Sequence, residues 1–194
     1  MMTMNRREQI EEHVRGIMQL FDLDLTDESL KDTPKRVAKM FEADLFWGLK
    51  EEHIPSMTTQ ESKGYNEMLI ETNITVNSLC EHHLVPIIGS AHIAYIPNDR
   101  ILGLSKFNRI VDYFSRRPQV QEKLTKNIKD FLVKVLNTED VAVVIDASHM
   151  CVRMRGIRDR ASITRTNMLG GRFMAGEVRA ELFASLPKPS DLQL

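Results

Sequence analysis

The spacing of apolar positions changes several times along the chain. From Arg6 to Phe21, residues Ile10, Val14, Ile17, Met18 and Phe21 recur at helical spacing. A second helical stretch is announced by Thr26, Ser29 and Leu30, and Thr33-Pro34 interrupts it. Pro34 fits the first turn of a fresh helix, with Val37, Met40, Phe41, Leu45 and Phe46 as its apolar face and Gly48 as its stop. Residues 51–66 are polar, carry Pro55 and Gly64, and read as a loop joining two parts. The period then drops to two. Over Leu69–Leu79, alternation puts Ile70, Thr72, Ile74, Val76, Ser78 and Cys80 on one side of a strand. A turn through Pro86 leads into a second strand, Ile87–Ile96, ended by Pro97-Asn98-Asp99. Helical spacing returns with Phe107, Ile110, Val111 and Phe114. It returns again in a helix opened by Pro118, with Val120, Leu124, Ile128, Phe131, Leu132 and Val135. Val141–Val152 reads as a strand, Ser162–Leu169 as its antiparallel partner, and Glu177–Leu186 as a last helix before a frayed Pro187–Asp191 tail.

The order is helices, then ββααββ, then a helix. Two strand hairpins around a helix pair predict an α+β fold, with an N-terminal helical region and linker over 1–66 and a second domain over 67–194. Composition adds mainly exclusions. A net charge of -1 gives no global attraction to nucleic acid or an anionic membrane, so any anion must be held by locally gathered Arg and Lys. No run approaches the apolar length of a membrane span, and MMTMNRREQIEEHVRG has no apolar core of a secretory signal. Two cysteines do not make a disulfide framework; they read as reduced thiols, which points to the cytoplasm.

Both cysteines fall in two short segments, SLCEHHLVP (78–86) and HMCVRMRG (149–156). Cys80 and His83 form a C-x-x-H pair, and His149 and Cys151 an H-x-C pair. If the strand from Val141 continues, His149 and Cys151 share the face of Val143, Ile145 and Ala147. Zinc takes thiolate and imidazole in a tetrahedral shell, and a catalytic site keeps one position open. Cys80, His83 and Cys151 would supply two sulfurs and a nitrogen, leaving His82 and His149 for proton transfer. A structural site that takes His149 or His82 as fourth ligand satisfies the same spacing. So does the plainer reading of each cysteine as a small buried apolar residue. His13 and His53 sit among charges and read as solvated.

Ser105-Lys106 opens the first central helix, with Arg109 one turn on. Arg153 and Arg155 would continue the Cys151 face if the strand held to Gly156, and Arg36 lies in DTPKR. Singly, each is a surface cation; converging on a metal site, they would suit a polyphosphate. Glu122 lies off the apolar stripe of its helix and by pattern faces solvent.

The segments CEHHLVP, HIAYIP, GLSKFNRIV, RRPQVQEKLT, HMCVRMRGIRD and SITRTNMLGG resemble GTP cyclohydrolase I, the zinc enzyme that opens pterin biosynthesis, with the match running from about Asp32 to Leu186. The resemblance implies the tunnelling fold and a homodecamer of two pentameric rings with active sites between subunits. It implies Zn2+ held by Cys80, His83 and Cys151, and GTP as substrate, with no role for nucleic acid or membrane. Activated water would attack C8 of the guanine, and ring opening and hydrolysis would release formate. A rearrangement of the ribose and reclosure would then give 7,8-dihydroneopterin triphosphate. His149 matches a histidine that protonates the ring nitrogen, and His82 a second proton-transfer group. Ser105 matches a residue near the ribose and phosphates. Lys106, Arg109 and Arg155, with Arg36 from another subunit, match the triphosphate clamp. Glu122, helped by Gln121, matches the guanine anchor, because a carboxylate accepts from both N1-H and the 2-amino group, which adenine lacks.

Departures from the family pattern are few. Ile88 stands where an aromatic is common and Lys123 where Arg is common. The N-terminus lacks the long extension of animal forms, which argues against a regulatory partner of that kind. Two other readings compete. A related tunnelling-fold nitrile reductase uses a nucleophilic cysteine and NADPH without zinc, which the CEHH and HMC pair argues against. A zinc-stabilised assembly module with a dead site predicts loss of His82, His149 or the clamp, and all of these are present.

Overall fold

The computed structural model describes residues 4–189; Met1–Thr3 and, from the expected frayed tail, Ser190 and Asp191 lie outside the described residues. The chain divides into two compact units, 1–47 and 48–194. The first unit holds helices α1 (Arg6–Leu20) and α2 (Thr33–Met40), the latter running on into a π-turn over Phe41–Leu45. Asn5 caps α1 reciprocally: its side chain accepts from the Glu8 amide at 3.0 Å, and its own amide donates to the Glu8 carboxylate at 2.9 Å. The stretch from Thr26 to Leu30 is not helical. Asp24 and Asp27 instead bind the backbone and hydroxyls of Thr26 and Ser29, which closes turns in place of a helix. Of the expected apolar stripe of α1, only Met18 is buried, while Ile17 and Phe21 are 57% and 74% exposed.

In the second unit, the stretch read as a linker contributes a strand, β1 (Thr59–Glu61), paired with β4 (Arg100–Leu102). The main sheet has the order β5-β2-β3-β6-β7, from β2 (Leu69–Cys80), β3 (Pro86–Tyr95), β5 (Pro118–Gln119), β6 (Val141–His149) and β7 (Thr164–Leu169). All neighbours are antiparallel except β2 and β5. With α3 (Ser105–Ser115) and α4 (Gln121–Leu136) between the hairpins, the sequence of elements is the expected ββααββ α+β fold. A helical turn, α5 (Met150–Arg153), and a last helix, α6 (Gly176–Ser185), complete it.

Alternation along β6 builds two cores. Val141, Val143, Ile145 and Ala147 pack with Phe107, Ile110, Leu124, Ile128 and Leu132 of α3 and α4. Ala142 and Val144 pack on the other face with Phe173, Leu182 and Leu186. Both faces of β6 are thus buried within one chain. The alternation expected for β2 is broken by a β-bulge. Glu71 pairs with Ile93 but Ile74 with Ala91, so Thr72 and Asn73 together oppose His92. Asn73 takes the left-handed conformation (φ 60) that allows this. The extra residue moves Ile70 to the α6 core, while Ile74 and Val76 face α3 and α4. Pro118 does not open α4; it lies in β5, and Val120 precedes the helix.

Candidate metal centre and its surroundings

The sheet register brings the two motif segments together. Strand β3 lies between β2 and β6, with Ile87 opposite Ser78 on one side and His149 on the other. The end of β2 and the end of β6 are therefore one strand apart, although the chain between them makes two helices. The β2–β3 loop is closed by the Cys80 amide donating to the Val85 carbonyl at 2.9 Å. Within that loop the Leu84 amide returns to the Cys80 carbonyl at 2.8 Å, and Leu84 takes φ 54. This tight turn presents His82 and His83 at the surface beside the buried Cys80.

Strand β6 ends at His149, so Cys151 lies not on the strand but in the α5 turn. The turn still leaves Cys151 packed against the core that His149's strand face joins. Arg153 and Arg155 consequently do not continue a strand face; Arg153 turns back to donate to the Ser148 hydroxyl at 3.2 Å. Ligand atoms of Cys80, His83 and Cys151 all lie within 4.8 Å of one another, the one such group of three among the described residues. The Cys80 sulfur is 3.9 Å from Nδ1 of His83 and equally far from Nδ1 of His82. Burial pushes the Cys151 thiol up, the adjacent Cys80 adds to this, and Arg155 pulls the other way. Two soft sulfurs and an imidazole at this separation can hold a metal ion.

His149 is half-buried and its Nε2 lies 2.8 Å from Oε1 of Gln121, the first residue of α4. Burial depresses the His149 imidazolium, and the Glu122 carboxylate opposes that shift, which places Glu122 in electrostatic range of His149. Glu122 itself is exposed, as its pattern implied. Gln121, expected to help Glu122 at the guanine, turns its side chain inward. Its side chain is 1% exposed, and its amide nitrogen reaches the carbonyls of Ile145 at 2.9 Å and Thr164 at 3.0 Å and the Thr166 hydroxyl at 3.0 Å.

The residues expected to form the clamp come from three places in the sequence: Ser105, Lys106 and Arg109 on α3, Arg155 just after α5 and Arg36 on α2. Arg155 is exposed and close enough to Cys151 to act on its thiol. Ser105 and Arg109 are exposed on α3, and Arg109 lines a depression of about 300 Å³ with Thr75, Asn77 and Asp112 that includes no metal-ligand candidate. Lys106 donates to the Ser56 carbonyl at 2.7 Å. Arg36, in the first unit, is exposed and 3.7 Å from Asp32. A cavity of about 550 Å³ is lined by Ile88, Met150, Arg153, Met154, Arg158 and Arg160 and includes no metal-ligand candidate.

The sequence reading overlooked His92, Asp146 and Arg165. His92 and Asp146 are 3% and 1% exposed; Arg165 binds Asp146 through two contacts of 2.7 Å, and His92 Nε2 lies 3.4 Å from the same carboxylate. A charged residue inside the apolar run VVIDAS was the available signal. No helix among the described residues is long and apolar enough to cross a membrane.

A family model described as GTP cyclohydrolase I matches residues 10–187. The GTP cyclohydrolase 1 of Flavobacterium johnsoniae is 53% identical over 175 residues, covering 90% of this chain and 78% of that protein. The proteins of the same name from Yersinia enterocolitica and Vibrio cholerae are 51% and 49% identical, covering 89% and 93% of this chain and 79% and 84% of their own lengths. Among solved structures, the crystal structure of the archaeosine synthase QueF-Like in the apo form aligns with 54% of this chain and 93% of its own, at a TM-score of 0.44 and 16% identity.

Proposed function

Because the chain belongs to the GTP cyclohydrolase I family, a family of hydrolytic enzymes, we propose that it opens the imidazole ring of GTP by hydrolysis. The products are formate and 7,8-dihydroneopterin triphosphate, the first step of tetrahydrofolate and pterin biosynthesis. The observation that carries the reading is the convergence of Cys80, His83 and Cys151, with His82 and His149 beside them but outside the ligand set. The donor set fits zinc in kind, two thiolates and an imidazole whose ligand atoms lie within 4.8 Å of one another. Cys80, His83 and Cys151 would hold the ion, which would supply Lewis acidity and the activation of water.

The chain's own residues do the rest. Glu122 accepts from N1-H and the 2-amino group and so selects guanine over adenine. His149 moves a proton at the imidazole ring of the base, and His82, on the exposed turn, serves the second proton transfer. Ser105, Lys106, Arg109 and Arg155, with Arg36 from a neighbouring subunit, hold the ribose and triphosphate. Assembly is supported by the sheet edges. Strand β5 covers only Leu79 and Cys80 of β2, and β7 has a partner only in β6, so both edges offer unpaired backbone groups to another copy. We read the assembly as a decamer of two pentamers working in the cytoplasm, where Cys80 and Cys151 stay reduced.

The test is formate release from GTP by zinc-loaded and chelator-stripped protein, with ATP and Cys151→Ala as controls. Zinc-dependent formate from GTP alone, with a fluorescent pterin after oxidation, is expected. Folded, zinc-loaded protein that releases no formate would overturn the enzyme assignment and favour a zinc-stabilised assembly module.

A further inference from the structure

We propose that Gln121 is a positioning residue that fixes the tautomer and ring orientation of His149, and that it does not itself read the guanine. The argument rests on hydrogen-bond polarity. The Gln121 amide nitrogen faces the carbonyl oxygens of Ile145 at 2.9 Å and Thr164 at 3.0 Å, which can only accept. The NH2 end must therefore point there, and the Oε1 end must point to His149, 2.8 Å away. An amide oxygen also only accepts, so His149 Nε2 carries the hydrogen and donates it to Gln121. Nδ1 is then the ring atom left to take up and deliver a proton.

The anchor that holds this amide is itself buried and satisfied. Ile145 belongs to β6 and Thr164 and Thr166 to β7, so the side chain bridges two strands from the first turn of α4. Thr166 is fixed in turn by the Thr125 hydroxyl at 2.6 Å, and Thr125 donates to the Gln121 carbonyl at 2.8 Å. With Gln121 1% exposed and Thr125 fully buried, water does not compete for these contacts. The consequence for chemistry rests on the proposed reading of His149 as the group that moves a proton at the substrate ring. Holding one nitrogen protonated in the ground state spares a tautomer exchange before each turnover.

Two measurements on the zinc-loaded, full-length protein test this. The first is the 15N spectrum of histidine-labelled protein, in which His149 is expected as the Nε2–H tautomer. In Gln121→Met it should become a mixture of tautomers, and in Thr166→Val, which removes one anchor only, it should shift the same way by less. This measurement needs no activity, so it stands whether or not the chain hydrolyses GTP. The second is kinetic. Gln121→Met should lower kcat about 10- to 100-fold, part of what a positioned proton donor contributes. KM for GTP and zinc content should stay within about twofold, and the same change on a His149→Asn background should cost less than about twofold. A raised KM with kcat intact would return Gln121 to the guanine site. Equal losses in both backgrounds, or a His149 spectrum unchanged in both Gln121→Met and Thr166→Val, would overturn the positioning role.

Discussion

Asp146→Asn tests whether the charged cluster on the sheet face away from α3 and α4 holds the fold together. Asp146 is fixed in β6, His92 in β3 and Arg165 in β7, so one carboxylate ties three neighbouring strands. Arg165 also donates to the Pro187 carbonyl at 3.1 Å, which brings the segment after α6 into the same network, and His92 Nδ1 accepts from the Asn73 amide at the bulge at 3.3 Å. Removing one partner of a buried ion pair leaves the other uncompensated and costs about 3–5 kcal/mol. The Arg165 side chain is 28% exposed and can recover some hydration, and an asparagine side chain keeps one acceptor oxygen. The expected loss is therefore about 2–4 kcal/mol. For a chain of this length that is a fall in Tm of roughly 5–15 °C, measured at matched subunit concentration.

The same carboxylate makes a pH prediction. Burial acts to raise the pKa of Asp146, but hydrogen bonds from Arg165 and His92, together with the Arg165 charge, outweigh it and hold the carboxyl below its usual range. A carboxyl whose folded pKa is depressed contributes stability above its unfolded value of about 3.9, and that contribution is lost as pH falls through the folded value. The amide in Asp146→Asn takes up no such proton, so the wild-type advantage in urea midpoint should be full at pH 7 and narrow below about pH 4. An advantage that is constant over that window, or absent at pH 7, would refute the electrostatic account of the cluster.

Two further substitutions probe packing and specificity. At Gly89, opposite Ala147 in the β3–β6 pairing, an added Cβ would lie 2.0 Å from the Asp146 carbonyl oxygen and 2.6 Å from Ala147 Cα. Gly89→Ala should therefore cost about 3 kcal/mol, the upper end for overpacking, and lower Tm by at least roughly 6 °C; a Tm within about 2 °C of wild type would contradict the packing. Glu122→Gln keeps shape but removes the charge that the proposed guanine anchor needs. It should reduce kcat/KM for GTP by roughly 10- to 100-fold, the worth of a charge-assisted hydrogen bond, and an unchanged value would remove Glu122 from base recognition.

Periodicity made most of the second unit legible, because α3 and α4 each bury one regular stripe and alternate residues of β6 face two apolar cores. It failed where the backbone leaves the period. The Asn73 bulge shifts Ile70 to the opposite core, and the α5 turn replaces the last residues of the strand expected to run to Val152. Neither failure displaced the metal-ligand set. The bulge lies upstream of Val76, Ser78 and Cys80, whose alternation survives, and one helical turn still returns Cys151 towards Cys80 and His83. Nothing in the pattern hinted that Gln121 turns inward, since a polar residue at the start of an amphipathic helix reads as solvated unless the facing carbonyls are known. His92 and Asp146 were hidden for the related reason that their partner, Arg165, comes from a strand later in the chain.

The proposed metal-ligand set and the proposed clamp are specified in different ways. The three candidate ligands lie at the end of β2, in the turn after it and in the α5 turn that directly follows β6, so their geometry is set largely by the register of one sheet within one chain. Ser105, Lys106 and Arg109 ride on α3, with Arg109 beside the uncovered edge of β2. A cation there is at an interface once another strand pairs with that edge, and Lys106 must exchange the Ser56 carbonyl for a phosphate to serve in the clamp. The exchange is electrostatically downhill, because a phosphate oxygen carries charge that a carbonyl lacks. In the proposed assembly, the metal-ligand geometry belongs to the subunit and the polyphosphate affinity to the joined subunits. Dilution that separates subunits should therefore abolish GTP binding while zinc stays bound.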